Sequence, residues 1–467
     1  MGDRGAGHAA PTPLEEIASR ISDLSKWREI FSFRGRCATA LAEGAHGTCT
    51  PRALMGQTPR ARTRALTLAP LPPAPQRLQK LLFRSTAPLF SGEWAAAHFR
   101  FHPPHSDLAY ALQAGKGGTR AILAAVQAHI ITYLLFTRET ECTHLERLCR
   151  VGRWEQRQAL ATALAETLWA AGGGGRAVVC LITAPITTMP REGYRTNSFT
   201  ERIRQFEFSE KAAAQGFISH HINYFKGEGS HGVILFLYSL LFSRTLERVQ
   251  EDLGDTAPLL NISSGNVTCT EAVLSLLLTG RASPRQLCGS REPEPGAGDG
   301  EGEAPWRRGP VGFLRWERAP VERQVSAGAA PWPAGPSAQP GLLAGVPRQV
   351  SPGLRTPRLP VWLCSLSGRH SVLFGTDSRL LSDWKSEKIF HLYFYTGQQE
   401  QTQTAHLTID IYFSFPLQTL IRITGKRLKE KAPTAQGRGA QPWRWQSGPS
   451  GQVRPSAGTG QTPFSEE

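Results

Sequence analysis

Residues 115–136 read GKGGTRAILAAVQAHIITYLLF, and this stretch is the most informative of the sequence. From Ala121 to Phe136, apolar residues recur at every third or fourth position in two neighbouring rows, and alanines fill the other faces. This period predicts a helix that is buried nearly all round. The two glycines before it, Gly117 and Gly118, predict a tight loop that another backbone can approach closely.

The start of this helix is the first candidate for chemistry. A helix N-terminus has unpaired N–H groups and the positive end of the helix dipole. Cysteine hydrolases place their nucleophile at such a point, because the dipole lowers the pKa of the thiol and the N–H groups help to hold an oxyanion. A glycine-containing cap loop without any chemistry is the alternative reading of the same residues.

Further helices and strands lie on both sides of this stretch. The patterns predict helices over 14–31, 156–169, 232–253 and 270–278, and strands over 177–182, 361–366, 370–374, 391–395 and 406–413. The four glycines 172–175 end a helix, whereas a phosphate-binding loop follows a strand and opens a helix. No nucleotide site is therefore expected at these glycines.

The domain organisation follows from composition. The chain has 467 residues, and its 46 Gly and 34 Pro are frequent in segments that bury too little apolar surface to fold. We predict one domain in two parts, residues 77–288 and 355–424. The segments around these parts are a largely disordered N-terminal region (1–76), a low-complexity insert (289–354) and a disordered tail (425–467).

The net charge of +15 raises the question of a nucleic-acid or membrane partner. Residues 1–75, 289–358 and 425–467 carry +10 of that charge, so the predicted folded part is nearly balanced. The longest apolar run, 232–242, is about half of the ~20 residues that a spanning helix needs. The sequence therefore predicts no specific nucleic-acid partner and no membrane association.

The cysteines indicate a protein of a reducing compartment, and the histidines indicate no metal site. The 8 cysteines form no CxxC pair, and no apolar signal stretch follows Met1. We therefore expect an intracellular protein, cytoplasmic or nuclear and not secreted, without disulfides. His220, His221 and His231 lack the Cys or carboxylate that would complete a ligand set, so no metal and no cofactor are expected.

The glycine pair and the helix after it resemble the nucleophile helix of the MINDY family of deubiquitinating cysteine isopeptidases. That family has Gly-Gly-Pro-Cys, then an apolar helix with Ala-Val-Gln that ends in Leu-Leu-Phe, and residues 117–118, 125–127 and 134–136 match it. Other segments resemble its third- and fourth-member branch in the same order, and the chain is most similar to the inactive branch beside the fourth member. These segments are 77–94, 231–253, 270–283, 355–374, 380–397 and 407–410.

The resemblance covers roughly residues 77–285 and 354–423, and it implies a fold and a partner. The implied fold is α/β of the papain-like cysteine-protease type, an α+β domain with helices packed on a mainly antiparallel sheet. Active members cleave lysine-48-linked polyubiquitin, so ubiquitin or polyubiquitin chains are the implied partner. Gly117, Gly118 and Thr119 would then form the cradle for the ubiquitin tail.

The departures from the family pattern fall on the catalytic positions. Where the family has Pro-Cys, this chain has Thr119 and Arg120, and an arginine cannot act as a nucleophile. His370 matches the catalytic histidine. Gln113 lies near the glutamine that assists the oxyanion, although the alignment places that position on Ala114.

Two further positions weaken the case for catalysis, because His391 and Thr396 stand where active relatives have acidic residues. The sequence thus predicts an inactive ubiquitin carboxyl-terminal hydrolase, a pseudo-deubiquitinase that retains a ubiquitin-binding or regulatory role. Two alternatives stay open. One is a weakly active cysteine-type deubiquitinase with another nucleophile, and the other is a scaffold that no longer binds ubiquitin.

Overall fold

The computed structural model describes fifteen stretches of the chain. They are residues 74–84, 90–114, 117–138, 145–182, 203–254, 258–263, 265–288, 308–316, 350–366, 368–381, 389–398, 401–414, 418–425, 443–447 and 453–455.

Most helices precede most strands along the chain. The helices are α1 Ala74–Phe83, α2 Gly92–Ala96, α3 Arg120–Thr132, α4 Glu146–Cys149, α5 Arg153–Ala171, α6 Lys211–His220, α7 Asn223–Lys226, α8 Gly232–Arg244, α9 Leu246–Leu253, α10 Glu271–Thr279, α11 Pro284–Leu287 and α12 Pro352–Arg355. A π-helical turn, Tyr133–Thr137, continues α3, and a 3-10 turn spans Ser378–Leu381.

The strands of the described residues form one eight-stranded sheet and two antiparallel pairs. The strands are β1 Ala177–Ile182, β2 Ile203–Phe208, β3 Leu260–Ser263, β4 Asn266–Cys269, β5 Gly312–Trp316, β6 Val361–Leu366, β7 Arg369–Phe374, β8 Ile389–Tyr395, β9 Ala405–Ser414, β10 Gln418–Gly425, β11 Trp443–Ser447 and β12 Val453–Pro455. The two pairs are β1 with β2 and β3 with β4. Strands β5 to β12 lie side by side in chain order; β5 pairs parallel to β6, and every other pair is antiparallel. The predicted combination of helices with a mainly antiparallel sheet is confirmed.

Helix α3 lies at the centre of the core, between the sheet and the other helices. It packs on β6 and β7 on one side and on α5 and α10 on the other. Eleven of its residues are buried, including the polar Gln127 and His129. Burial on all sides explains why its apolar residues form two rows and its remaining faces are mostly alanine, since close helix packing favours small side chains.

The predicted helix over 232–253 is wrong in one respect, because the chain turns at Thr245 and forms two helices. Thr245 has φ 73°, a left-handed conformation that cannot continue a helix. Its hydroxyl accepts a hydrogen bond from the N–H of Arg248 at 3.4 Å and so caps α9. No glycine or proline marks this break in the sequence.

Two segments predicted to be unfolded contain regular structure. Within 289–354, β5 joins the sheet and α12 begins, and Phe313 of β5 is fully buried. Within 425–467, β11 and β12 extend the sheet. Composition missed these strands because they are short segments within stretches rich in glycine and proline, and because the partner of β5, strand β6, is remote in sequence. The helix predicted over 14–31 lies outside the described residues, and the domain boundaries stay predictions.

Among the described residues, one helix is long and apolar enough, by these two measures alone, to cross a membrane. It spans Arg120–Thr137, and 72% of it is buried inside the molecule. This degree of burial is typical of a core helix. This stretch is longer than the apolar run 232–242 but less continuous, because Gln127, His129 and Thr132 interrupt it.

Candidate functional site

The glycine loop before α3 is held between two other parts of the chain. Gly117 has φ 101°, and a side chain there would collide with the carboxylate of Glu93 on α2. Gly118 pairs with Thr268 in a parallel bridge, and a Cβ atom there would overlap the carbonyl of Val267. That carbonyl also accepts a hydrogen bond from the indole N–H of Trp94 at 2.8 Å. Gly118 is therefore required by contact with backbone, whereas Gly117 is required by its left-handed φ, since the carboxylate of Glu93 can move aside.

The segment that leads into this loop is tied to α3 and to the sheet. The Gln127 side chain accepts a hydrogen bond from the N–H of Leu112 at 2.6 Å and donates one to the carbonyl of Tyr110 at 3.1 Å. The hydroxyl of Tyr395 on β8 donates to the carbonyl of Leu112 at 2.6 Å. Because these groups are buried, the bonds fix residues 110–112 against both elements.

A narrow cleft lies between the start of α3 and the edge of β7 and β8. It encloses about 20 Å³, room for roughly one water-sized group. At one end its walls touch, since a Cβ atom added to Gly397 would lie 2.8 Å from the Cβ of Ala114. The lining residues are Leu112, Ala114, Arg120, Leu123, Ala124, Gln127, His370, Ser371, Val372, Tyr395, Thr396 and Gly397.

His370 belongs to a row of residues that crosses three strands. Arg315 of β5 lies opposite Ser365 of β6, and Ser365 lies opposite His370 of β7. Residues directly opposite one another point to the same face of a sheet. The row therefore places Arg315 and His370 on the face that packs against α3.

Two cations and burial act on the imidazole of His370. Loss of water around the ring, then the charge of Arg120, then that of Arg315 lower its pKa to about 4. The imidazole is therefore neutral at neutral pH. Within the described part of the chain, no hydrogen-bond partner of this ring is found.

Arg315 is itself nearly buried and anchored by an acidic group. Its guanidinium pairs with the carboxylate of Glu271 at 3.0 Å, and Glu271 is the first residue of α10. The thiol of Cys288 lies 3.8 Å from the same guanidinium. Sequence reasoning missed Arg315 because it assigned 289–354 to a low-complexity insert; the aromatic and aliphatic residues of GFLRW were the available signal.

The structure brings some of the predicted site residues together and leaves others apart. Arg120 and His370 line the same cleft, and Ala114 lines it where Gln113 does not. The N–H of Gln113 donates to the carbonyl of Arg100 at 2.7 Å. Thr119 is buried at the N-cap, and its side chain makes no capping hydrogen bond. Their roles stay predictions.

The two residues at the expected acidic positions are engaged locally. His391 Nδ1 lies 3.2 Å from the hydroxyl of Thr408 and 3.0 Å from Nε2 of His406. The hydroxyl of Thr396, which lines the cleft, donates to the side-chain oxygen of Gln401 at 2.8 Å. Neither residue can supply a carboxylate to orient the imidazole of His370.

Cys269 is the thiol that lies next to the glycine loop. Its Sγ donates to the carbonyl of Gly118 at 3.5 Å, and burial raises the pKa of this thiol to about 12. It therefore stays protonated at neutral pH. Among the described residues, no group of three or more His, Cys, Asp or Glu could hold a metal ion.

The sequence profile described as "Deubiquitinating enzyme MINDY-3/4, conserved domain" matches residues 79–414, a range that includes the loop, α3, β5 and β7. The chain belongs to the MINDY-3/4 family. This confirms the family identified from the glycine pair and the helix. The MINDY domain has a cysteine-protease-like fold, and the predicted α/β class of papain-like type is therefore confirmed as well.

Individual MINDY proteins are similar to this chain over different lengths. The mouse protein named probable ubiquitin carboxyl-terminal hydrolase MINDY-4 is 30% identical over 341 residues, 72% of this chain and 41% of the relative. The human protein of that name is 29% identical over 340 residues, 72% and 40% of the two chains. Human ubiquitin carboxyl-terminal hydrolase MINDY-3 is 27% identical over 205 residues, 39% and 44%.

This chain spans about two fifths of the length of the MINDY-4 relatives that it matches. No solved structure matches it significantly.

Proposed function

We propose that this chain is a catalytically inactive MINDY-family protein that binds ubiquitin or polyubiquitin without cleaving it. One observation carries the proposal: the guanidinium of Arg120 occupies the start of α3, in the cleft that His370 lines. The family resemblance assigns the nucleophile to that helix position and the base to His370.

The chemistry at these positions does not support isopeptide cleavage. A guanidinium stays protonated in proteins and has no lone pair with which to attack a carbonyl carbon. Loss of a nucleophile typically lowers kcat by on the order of 10⁶. The neutral imidazole of His370 could still accept a proton, but a base without a nucleophile forms no acyl intermediate.

The neighbouring side chains are poor substitutes for the missing thiol. Cys269 lies beside the loop, but its pKa of about 12 keeps it a thiol and not a thiolate. Thr119 is buried, with 2% of its surface exposed, so a substrate carbonyl cannot reach its hydroxyl. These two observations favour the inactive protein over a weakly active deubiquitinase.

Ubiquitin binding is supported by the family to which the chain belongs. The relatives are named ubiquitin carboxyl-terminal hydrolases, and the matched profile includes the glycine loop and α3. We also propose an intracellular location, cytoplasmic or nuclear, which the free thiols of Cys149, Cys180, Cys269, Cys288 and Cys364 support.

The test uses the full chain in two measurements. A ubiquitin probe with an electrophilic C-terminus reports a reactive nucleophile, and NMR or calorimetry with mono-ubiquitin and linkage-defined chains reports binding. We expect binding without covalent labelling. Labelling of the folded protein would restore the weakly active alternative, and a folded protein that binds no form of ubiquitin would leave the scaffold alternative.

A second experiment asks whether the lost nucleophile is the sole defect. We predict that Thr119→Pro combined with Arg120→Cys does not restore appreciable chain cleavage, because His391 and Thr396 cannot orient the base. A gel assay on lysine-48-linked chains measures this. Robust cleavage by the double variant would show that the acidic positions are dispensable.

A further inference from the structure

We propose that a second surface of the domain binds an acidic, amphipathic segment of a partner protein. This surface consists of a row of aromatic side chains across β2, α6 and α7 and of three cations at one end of that row. None of its residues lines the cleft between α3 and the sheet. The inference therefore does not depend on ubiquitin binding.

Five aromatic side chains form a continuous row, and none of them is fully buried. The ring centroid of Phe217 on α6 lies 4.8 Å from that of Phe206 and 5.1 Å from that of Phe208, both on β2. On its other side, the ring of His221 lies 4.4 Å from Phe217 and 6.0 Å from Tyr224 of α7. Single exposed apolar residues are common on protein surfaces, whereas a continuous row of them is typical of a binding surface.

The packing of α6 on α5 brings one end of this row to the start of α5. The ammonium of Lys211 pairs with Glu166, and the side-chain amide of Gln215 donates to the hydroxyl of Thr162 at 2.9 Å. Contacts move forward along α6 and backward along α5, so the two helices are antiparallel. The C-terminal end of α6, and α7 after it, therefore lie at the first turns of α5.

Three cations meet at this end of the row. Arg153 and Arg157 are exposed and one turn apart on α5, and Lys226 is the last residue of α7. Burial, then the charge of Arg157, then that of Arg153 lower the pKa of Lys226. No ion pair with a described acidic residue is found for any of the three. Because like charges one turn apart destabilise a helix, an anionic partner would relieve their repulsion.

Large aromatic side chains beside the cations supply apolar anchors. Trp154, between the two arginines on the first turn of α5, is 67% exposed, and Tyr224 is 42% exposed. Tryptophan, tyrosine and arginine are the residues that most often dominate the binding energy of protein–protein interfaces. The surface therefore fits carboxylates next to leucine-type side chains.

The same surface is a poor fit for a nucleic acid. The charge of a nucleic acid repeats along its whole backbone and is bound by a long track of cations. Here the exposed Glu228 follows Lys226 by two residues, and the exposed Glu146 precedes α5. These carboxylates limit the positive region to a short patch, which suits a short acidic segment.

The experiment measures binding of fluorescently labelled peptides to the full chain by anisotropy. The probe is a helical peptide with glutamates on one face and leucines on the other. One matched peptide has lysine for every glutamate, and another has serine for every leucine. We expect the glutamate–leucine peptide to bind at least about ten-fold more tightly than either, because each matched peptide lacks one half of the complementary surface. Added salt should weaken its binding.

Variants of the chain locate the binding surface. Arg157→Gln combined with Lys226→Gln should weaken binding of the glutamate–leucine peptide about ten-fold and reduce its salt dependence. Trp154→Ser combined with Tyr224→Ser should weaken binding and leave the salt dependence unchanged. Arg248→Gln is the matched control, since Arg248 is an exposed cation on α9, beyond the far end of α8 from Lys226. Thermal unfolding checks that each variant is folded.

Each contrary outcome overturns a defined part of the proposal. Equal binding of the lysine–leucine peptide would exclude charge complementarity. A single-stranded oligonucleotide that binds as tightly as the glutamate–leucine peptide would show a general polyanion surface instead of a protein-binding one. Unchanged binding in both double variants would place the peptide elsewhere, and failure of the folded chain to bind any peptide would overturn the proposal as a whole. Ubiquitin binding, measured separately, is unaffected by these results.

Discussion

Two glycine-rich loops of the molecule look alike in sequence and differ in what holds them. Gly117 and Gly118 pack against a side chain and a backbone carbonyl from remote parts of the chain; backbone blocks a side chain at Gly118, and a positive φ disfavours one at Gly117. At 172–175, Gly173 and Gly175 have open space around them, Gly174 has Trp169 at 4.0 Å, and only Gly172 is closely packed. One loop is shaped by tertiary contact, and the other ends a helix.

In this MINDY protein the loop before α3 is fixed by the fold itself. Its glycines contact α2 and β4 of the same chain, and the residue that follows Thr119 is a cation. Close packing constrains a position whether or not catalysis continues, because a clash destabilises the fold itself. The glycines of this loop are therefore evidence for the fold, and they are no evidence for turnover.

The most severe test of this difference is Gly118→Ala. We expect a loss of about 3 kcal/mol or more in the free energy of unfolding, because the methyl group would overlap the carbonyl of Val267 and break the bridge to Thr268. Urea denaturation measures it. A loss below about 1 kcal/mol would show that the loop can move away from β4.

Acid should lower the free energy of unfolding through protonation of His370. Since its pKa is about 4 in the folded protein and 6.5 in the unfolded chain, the unfolded state binds the proton more readily between these values. The contribution of His370 to stability is thus fully present above pH 6.5 and falls as the pH drops towards 4. Because a pKa difference of one corresponds to about 1.4 kcal/mol, the free energy of unfolding decreases by roughly 3 kcal/mol over this range. Urea denaturation at several pH values measures it.

Two variants check the assignment of this acid sensitivity. His370→Gln should flatten the pH dependence of unfolding between pH 6.5 and 4. Arg120→Gln should raise the pKa of His370 towards its usual value, as followed by NMR of the imidazole, because one of the two nearby cations is removed. An unchanged pKa in Arg120→Gln would show that the guanidinium lies farther away.

A smaller loss of stability is expected at Gln127, through which α3 holds the segment that leads into the glycine loop. Gln127→Leu should lower the free energy of unfolding by about 2 kcal/mol, because the N–H of Leu112 loses its described partner and the carbonyl of Tyr110 loses one. Thr167→Val is the control, since the Thr167 hydroxyl bonds only within its own helix, to Ala163 at 2.8 Å. Equal losses in the two variants would contradict the special role of Gln127.

The smallest change in stability is expected in the loop at residues 172–175. Gly175→Ala should leave the protein as stable as before or stabilise it by about 0.5 kcal/mol, because nothing lies within 4 Å of the added methyl and φ is not left-handed there. Thermal unfolding measures this change. A clear loss of stability would mean that both loops are shaped by contact.

Features set by local sequence could be predicted, whereas features set by contacts between remote parts of the chain could not. The period of α3 and the glycine pair were readable directly, and resemblance to the family added the pairing of Arg120 with His370. The break at Thr245 carries no glycine or proline, so periodicity runs through it. The row from Arg315 to His370 depends on pairing between β5 and β6, which composition alone does not reveal.

The burial of α3 on every side has a consequence for synthesis on the ribosome. The helix emerges roughly 240 residues before β7, which at about 5–20 residues per second is a delay of roughly 10–50 s. During that time α5 and α10 are made and can cover one side of it. The side that later meets the sheet stays apolar and uncovered until β6 and β7 are made, so the nascent chain exposes the kind of apolar surface that chaperones bind.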